Sequence, residues 1–163
     1  MPIKLRAIEE SDLPQLRDWR NDDRLRSTAR EYRLLNMVNQ HDWLNYISRS
    51  REVEMFGIEV DGALVGVCGL CNINWAYRVA ETSIYVAPNL QDQDHAAQAL
   101  ELLKRKAFEE LNLRRLWTGV YELHPERAVL YEGAGFVLEG RLRKHVFKWG
   151  KYRDSLIYGL LRE

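Results

Sequence analysis

Residues 80–111 read AETSIYVAPNLQDQDHAAQALELLKRKAFEEL, and the rest of the chain is arranged around them. The stretch predicts a strand, a turn begun by Pro88 and Asn89, and a long amphipathic helix. Apolar residues at Ala96, Ala99, Leu100, Leu103, Ala107 and Leu111 recur at helical spacing, while Glu101, Lys104, Arg105 and Glu109 fall elsewhere. One face is core and the other is wet. A helix that follows directly on a buried strand presents free backbone N–H groups and a partial positive charge at its tip, which is where a phosphate would sit. Asp94 at that tip also suits the helix as an N-cap.

Working outward, 163 residues with 46% hydrophobic content predict one domain, 1–163, with a core that needs no staples. Lys and Arg total 24, as do Asp and Glu, so no global field draws the chain to nucleic acid or an anionic membrane. No aromatic platform motif points to nucleic acid either. Cys68 and Cys71 spell C-x-x-C, but they fall in an apolar strand-like run where positions three apart face opposite sides; they read as core thiols. His41, His95 and His124 lack ligand spacing, and no metal site is expected. The start, MPIKLRAIEE, is charged and no segment approaches membrane-spanning length, which predicts a cytoplasmic protein with reduced thiols.

The remaining elements alternate. Ile3 to Ala7 predicts a strand, and Ser11 with Pro14 opens a helix that buries Leu13, Leu16 and Trp19. Asn39 to Arg49 predicts another helix, with Trp43, Leu44 and Ile47 at core spacing. Met55 to Val60 and Ala63 to Cys71 flank Asp61-Gly62, the strongest hairpin signal in the chain. Asn72 to Arg78 reads as a loop carrying Trp75 and Tyr77. Arg115 to Val120 is a strand and Glu126 to Glu132 a short helix; Phe136 to Arg143 and Tyr152 to Leu161 are strands around Trp149-Gly150-Lys151. The sum is an α/β (α+β) fold, a mixed, mostly antiparallel sheet flanked by helices.

The segment VAPNLQDQDHA resembles the acetyl-coenzyme A loop of the GNAT superfamily of acyltransferases, whose motif is Gln or Arg, two free positions, Gly, one free position, then Gly or Ala. Gln91 and Ala96 match it, and Asp94 stands where the family has glycine. ERAVLYEGAGF at Glu126 to Phe136 is close to the family's usual helix and following strand. Trp19-Arg20-Asn21, Leu138-Glu139-Gly140-Arg141 and Gly150-Lys151-Tyr152-Arg153-Asp154 resemble the branch with ribosomal-protein N-terminal acetyltransferases and acetyltransferases of nucleotide-linked amino sugars. The resemblance covers nearly the whole chain and implies a GNAT-like fold. It also implies acetyl transfer from acetyl-CoA to a primary amine of an amino sugar, a small molecule or a protein N-terminus, by direct attack.

By the same resemblance the donor site comprises Gln91, Asp92, Gln93, Asp94, His95 and Ala96, with main chain at Ile84 and Val86 along the pantetheine arm. The Val86 N–H would be the oxyanion donor. Tyr131 matches the tyrosine that in many family members sits near the coenzyme sulfur, and a phenol, with a pKa of about 10, has the chemistry to protonate a leaving thiolate. The family's asparagine before this helix is replaced by His124-Pro125. Glu81 is the first choice for general base, with His145 and Asp154 as others. Trp19, Arg20, Trp75, Tyr77 and His145 would line the acceptor site. Two carboxylates, Asp92 and Asp94, each repel a phosphate by roughly 3 kcal/mol at about 5 Å and an effective dielectric near 20, and by about 1 kcal/mol if turned to water. A second reading is therefore a decayed GNAT-like binding or assembly module. The exposed edge of the last strands leaves room for a homodimer.

Overall fold

The computed structural model describes residues 2–91 and 94–163. Seven strands form one sheet: β1 (Ile3–Arg6), β2 (Glu54–Val60), β3 (Ala63–Asn74), β4 (Val79–Val86), β5 (Arg115–Tyr121), β6 (Val137–Lys148) and β7 (Lys151–Leu161), in spatial order β1-β2-β3-β4-β5-β7-β6. Every neighbouring pair is antiparallel except β4 and β5. Local chemistry explains the hairpins. Asp61 and Gly62 both take positive φ, 51° and 81°, as do Trp149 and Gly150 at 49° and 76°, which is the backbone that matches the twist of paired strands.

The parallel pair needs a crossover, and α4 (His95–Arg105) supplies it. Its last turn is widened, so that the Leu111 amide reaches back to the Lys106 carbonyl at 3.1 Å. Ala99, Leu100, Leu103 and Ala107 are buried against Ile58, Leu70, Ala80, Ile84 and Leu116, while Ala96 and Leu111 pack at the margin. The short α5 (Pro125–Gly133) lies on this same side and contributes Tyr131 to the same core.

The opposite face carries α1 (Leu13–Asn21) and α3 (Met37–Arg49), whose Leu13, Leu16, Trp19, Trp43, Leu44 and Ile47 enclose Ile8, Val67 and Tyr85. Between them a four-residue helix, α2 (Asp23–Arg26), is capped by the Asp22 carboxylate, which accepts the Arg24 amide at 2.9 Å. The polar stretch after α1 hides this helix from periodicity. Three bounds also differ from expectation. Helix α3 begins at Met37 because Asn36 and Asn39 cap each other's backbone, strand β3 runs on to Asn74, and β6 extends to Lys148. Strand β6 is exposed along most of its length, so its polar residues read as loop although its backbone pairs with β7 from Val137 to Lys148, with irregularities at Leu138/Gly140 and Leu142/Val146.

The sheet is weakest in its middle. Only Val79↔Arg115, Ala80↔Leu116 and Glu81↔Trp117 join β4 to β5. Past Glu81 the two strands part, β4 running on to Val86 and β5 to Tyr121, and a wedge opens between their C-terminal halves. Among the described residues no helix is long and apolar enough to cross a membrane.

Candidate active site

The wedge is lined by main chain on its β4 side. The Ala87 amide bonds Val65 at 2.8 Å, which fixes the Gly66↔Val86 pair as one whose own N–H and C=O groups point away from β3. The alternation puts the peptide groups of Ile84 and Val86 toward β5, into the wedge. Two of those groups have partners. Arg127, in the first turn of α5, donates to the Ile84 carbonyl at 3.0 Å, and the Gln91 amide donates to the Val86 carbonyl at 2.8 Å and to Ala87 at 3.2 Å. Gln91 thus shapes the turn with its side chain.

Gly66 lets β4 lie so close. A Cβ there would stand 2.4 Å from the Tyr85 carbonyl oxygen and 2.9 Å from the Val86 Cα, both backbone atoms that cannot swing aside. The donor loop then leads into α4. Asp94 stands at the N-cap position of α4, its carbonyl accepting the Gln98 amide at 3.2 Å, but it is exposed and its side chain makes no capping bond, so its carboxylate faces water. His95 is buried at the first helical position, and Ala96 is partly buried against the core. The positions Asp92 and Gln93 lie outside the described residues. Arg24 ties α2 to this loop by donating to the Pro88 carbonyl at 3.2 Å.

At the apex, where pairing ends, Tyr131 and Glu81 flank the sheet. Tyr131 is fully buried on the α5 side, its ring edge-on to Phe136 at 5.0 Å and its hydroxyl 3.2 Å from the Thr82 hydroxyl. Glu81, the residue before Thr82, points to the other face by strand alternation and is 7% exposed. Its carboxylate accepts the Asn72 amide at 3.0 Å and the Arg30 guanidinium at 3.1 and 3.2 Å. Arg30 also reaches the Cys71 sulfur at 3.5 Å. Burial pushes the Cys71 thiol up, and the Glu81 charge adds to it while Arg30 opposes. Cys68 lies in the core of the other face, its thiol pushed up to about 12 by burial.

The expected acceptor residues divide. His145 bonds the Ser155 hydroxyl at 2.8 Å, and Ser155 pairs with Tyr121 at the open end of β5, so this group borders the wedge. Asp154 accepts the Lys144 amide and the Arg141 guanidinium, which hold its carboxyl below the usual range; it is part of a turn network rather than a base. Arg20 lies over the Tyr85 ring, 5.4 Å from its centroid, beside a cavity of about 350 Å³ that Glu31, Arg33 and Trp43 also line. Trp19 packs in the core instead. Trp75 and Tyr77 sit on the turn between β3 and β4, at the end where β4 and β5 remain paired. The Trp75 indole donates to the Arg51 carbonyl and Tyr77 is 72% exposed, so the structure does not bring either to the wedge.

Sequence reasoning missed Arg30, Asn72 and Arg127. Only Arg127 carried a signal: a cation in the first turn of a helix is at the unfavourable end of the dipole and needs another partner.

A mixed sheet parted between two parallel strands, with a helix tip behind the gap and a buried tyrosine and a carboxylate at its apex, is the architecture of an acyl-group transferase. Residues 5–157 match the acetyltransferase (GNAT) domain, and the chain belongs to that family. It is 28% identical to the spermidine N(1)-acetyltransferase of Escherichia coli strain K12 over 94% of this chain and 83% of that protein. The crystal structure of spermidine N-acetyltransferase from Vibrio cholerae in complex with CoA and spermine matches with a TM-score of 0.92 and 28% identity, over 98% of this chain and 95% of that one. A dodecameric structure of the Vibrio cholerae enzyme matches with a TM-score of 0.85 and 27% identity, over 98% of this chain and 93% of that one. The chain is an acetyl-coenzyme A-dependent N-acetyltransferase acting on a primary amine, and nothing supports the reading as a decayed module. The acidic tip is compatible with the coenzyme because the one described carboxylate there is turned to water.

Proposed function

We propose that this enzyme acetylates a small primary amine by direct attack, with Glu81 receiving the amine and Tyr131 completing the transfer. The observation that carries the reading is the placement of these two groups on opposite faces of the sheet at the point where β4 and β5 part. Acetyl-CoA supplies the activated acetyl carbon. The first-turn amides of α4 and the main chain of Ile84 and Val86 would hold it. The Val86 N–H stabilises charge developing on the carbonyl oxygen. Glu81 takes the ammonium proton from one face, so that the nitrogen lone pair can form the new C–N bond as the C–S bond breaks. Tyr131 gives its proton to the sulfur from the other face.

The relatives named for spermidine make a small aliphatic amine the natural first acceptor to assay. An acetyl-CoA donor and unpaired thiols suit a cytoplasmic enzyme. Leu138, Leu142 and Phe147 on the exposed edge strand β6 suit packing against a second copy. The test is steady-state kinetics with both substrates varied. Intersecting double-reciprocal lines support direct attack; parallel lines, the mark of an acetylated enzyme, would sink it.

A further inference from the structure

The carboxylate offered to the amine is not bare. Arg30 and Asn72 already bond it, and the guanidinium side chain is 63% exposed while the Glu81 side chain is 9% exposed, so Arg30 stands between the carboxylate and solvent. Its position is built. Lys148 is 8% exposed, and its ammonium donates to the carbonyls of Ala29 at 2.6 Å and Arg26 at 3.4 Å and lies over the Tyr121 ring at 5.6 Å. Strand β6 thereby grips the residue before Arg30 and fixes the main chain from which the guanidinium reaches Glu81.

Consider what can displace it. A polycation meets a carboxylate whose charge is already offset and a second cation within a few ångströms, and like charges at that distance in a half-buried site repel strongly. An amine that carries its own carboxylate meets the reverse. Its carboxylate offers the planar, two-oxygen partner that a guanidinium fork binds best. Its ammonium then replaces Arg30 at Glu81, and four charges alternate in sign with none left over. We propose, resting on the reading of Glu81 as the group that receives the amine, that the preferred acceptor is a free amino acid or a like zwitterion with amine and carboxylate one or two carbons apart, and that Arg30 is its carboxylate receptor.

The experiment uses the full chain and thiol release from acetyl-CoA. The acceptors are the proteinogenic amino acids and beta-alanine, the matching amino acid amides, and spermidine. The expected result is that the best amino acid exceeds its own amide at least about tenfold in kcat/KM. In Arg30→Met the ratio should fall toward one, with the amide and spermidine improving, and Arg30→Lys should restore part of it. Because the acid-to-amide ratio is read on the unaltered enzyme, it does not depend on how either variant folds. An amide that matches its acid, or a panel in which no carboxylate-bearing amine is acetylated, overturns the proposal. Failure of the underlying reading looks different: Glu81→Gln would then leave kcat/KM unchanged for every acceptor.

Discussion

Thr82 sits between the two side chains proposed to act on the acetyl group and the amine, bonding the Tyr131 hydroxyl on one face while its neighbour Glu81 occupies the other. Removing the phenol oxygen with Tyr131→Phe should lower kcat by about 10²- to 10⁴-fold, the usual worth of a placed proton donor, and leave acetyl-CoA affinity near its starting value. Calorimetric titration beside turnover reads both quantities, and equal losses in each would point to a binding role instead. Thr82→Val keeps the shape but leaves the buried phenol without that partner. It should cost roughly 1–3 kcal/mol of stability, visible in a urea transition. The helix that carries Tyr131 was legible in the sequence because the run Glu126 to Phe136 combines helical spacing with a terminating glycine. Arg30 was not legible: it comes from a stretch without periodicity, 51 residues from the carboxylate it meets, and only closure of the fold brings the two together.

The elements that shape the donor site can be tested through their backbone. Gly66→Ala would force β4 aside at Val86, and the expected result is a KM for acetyl-CoA raised about tenfold or more, with a lower melting temperature. Asp94→Gly at the tip of α4 should tighten coenzyme binding, but by less than about 1 kcal/mol, because the carboxylate already faces water. A salt series by calorimetry checks this, since the small gain should vanish as ionic strength rises. At this scale the sequence was most readable where turn chemistry is strict. Asp61-Gly62 announced its hairpin, and helical spacing announced α4. Strand β6 was underestimated because an exposed edge strand lacks the apolar alternation that marks a strand with one buried face, and α2 was too short to show a period.

Across the whole molecule, charge ties the first strand to the rest. Arg6 bonds Asp12 at 2.9 Å through two nitrogens and Glu59 at 2.8 Å, joining β1, β2 and the turn before α1. The Arg6 bonds hold the Asp12 carboxyl below its ordinary range against the opposing effect of burial, and the Glu9 amide adds to the depression. The sign follows: an unfolded Asp12 takes up a proton at higher pH than the folded one does. The stabilisation is complete above the ordinary carboxylate pKa, near 4, and is lost as pH falls through the lower folded value. Asp12→Asn should therefore lower the melting temperature at neutral pH and converge with the parent in strong acid; parallel curves at all pH values would contradict the linkage. The three-residue seam between β4 and β5 has a consequence for how the chain reaches this state. Strands β1 to β4 are joined through the β2–β3 and β3–β4 hairpins, β5 to β7 through the β6–β7 hairpin, and the seam between the two sets requires the crossover from Ala87 to Arg114 to close. Until it does, both halves carry a raw strand edge, able to pair with the complementary edge of another molecule. The gap between β4 and β5 is thus also a place where two molecules can exchange halves before the joint forms.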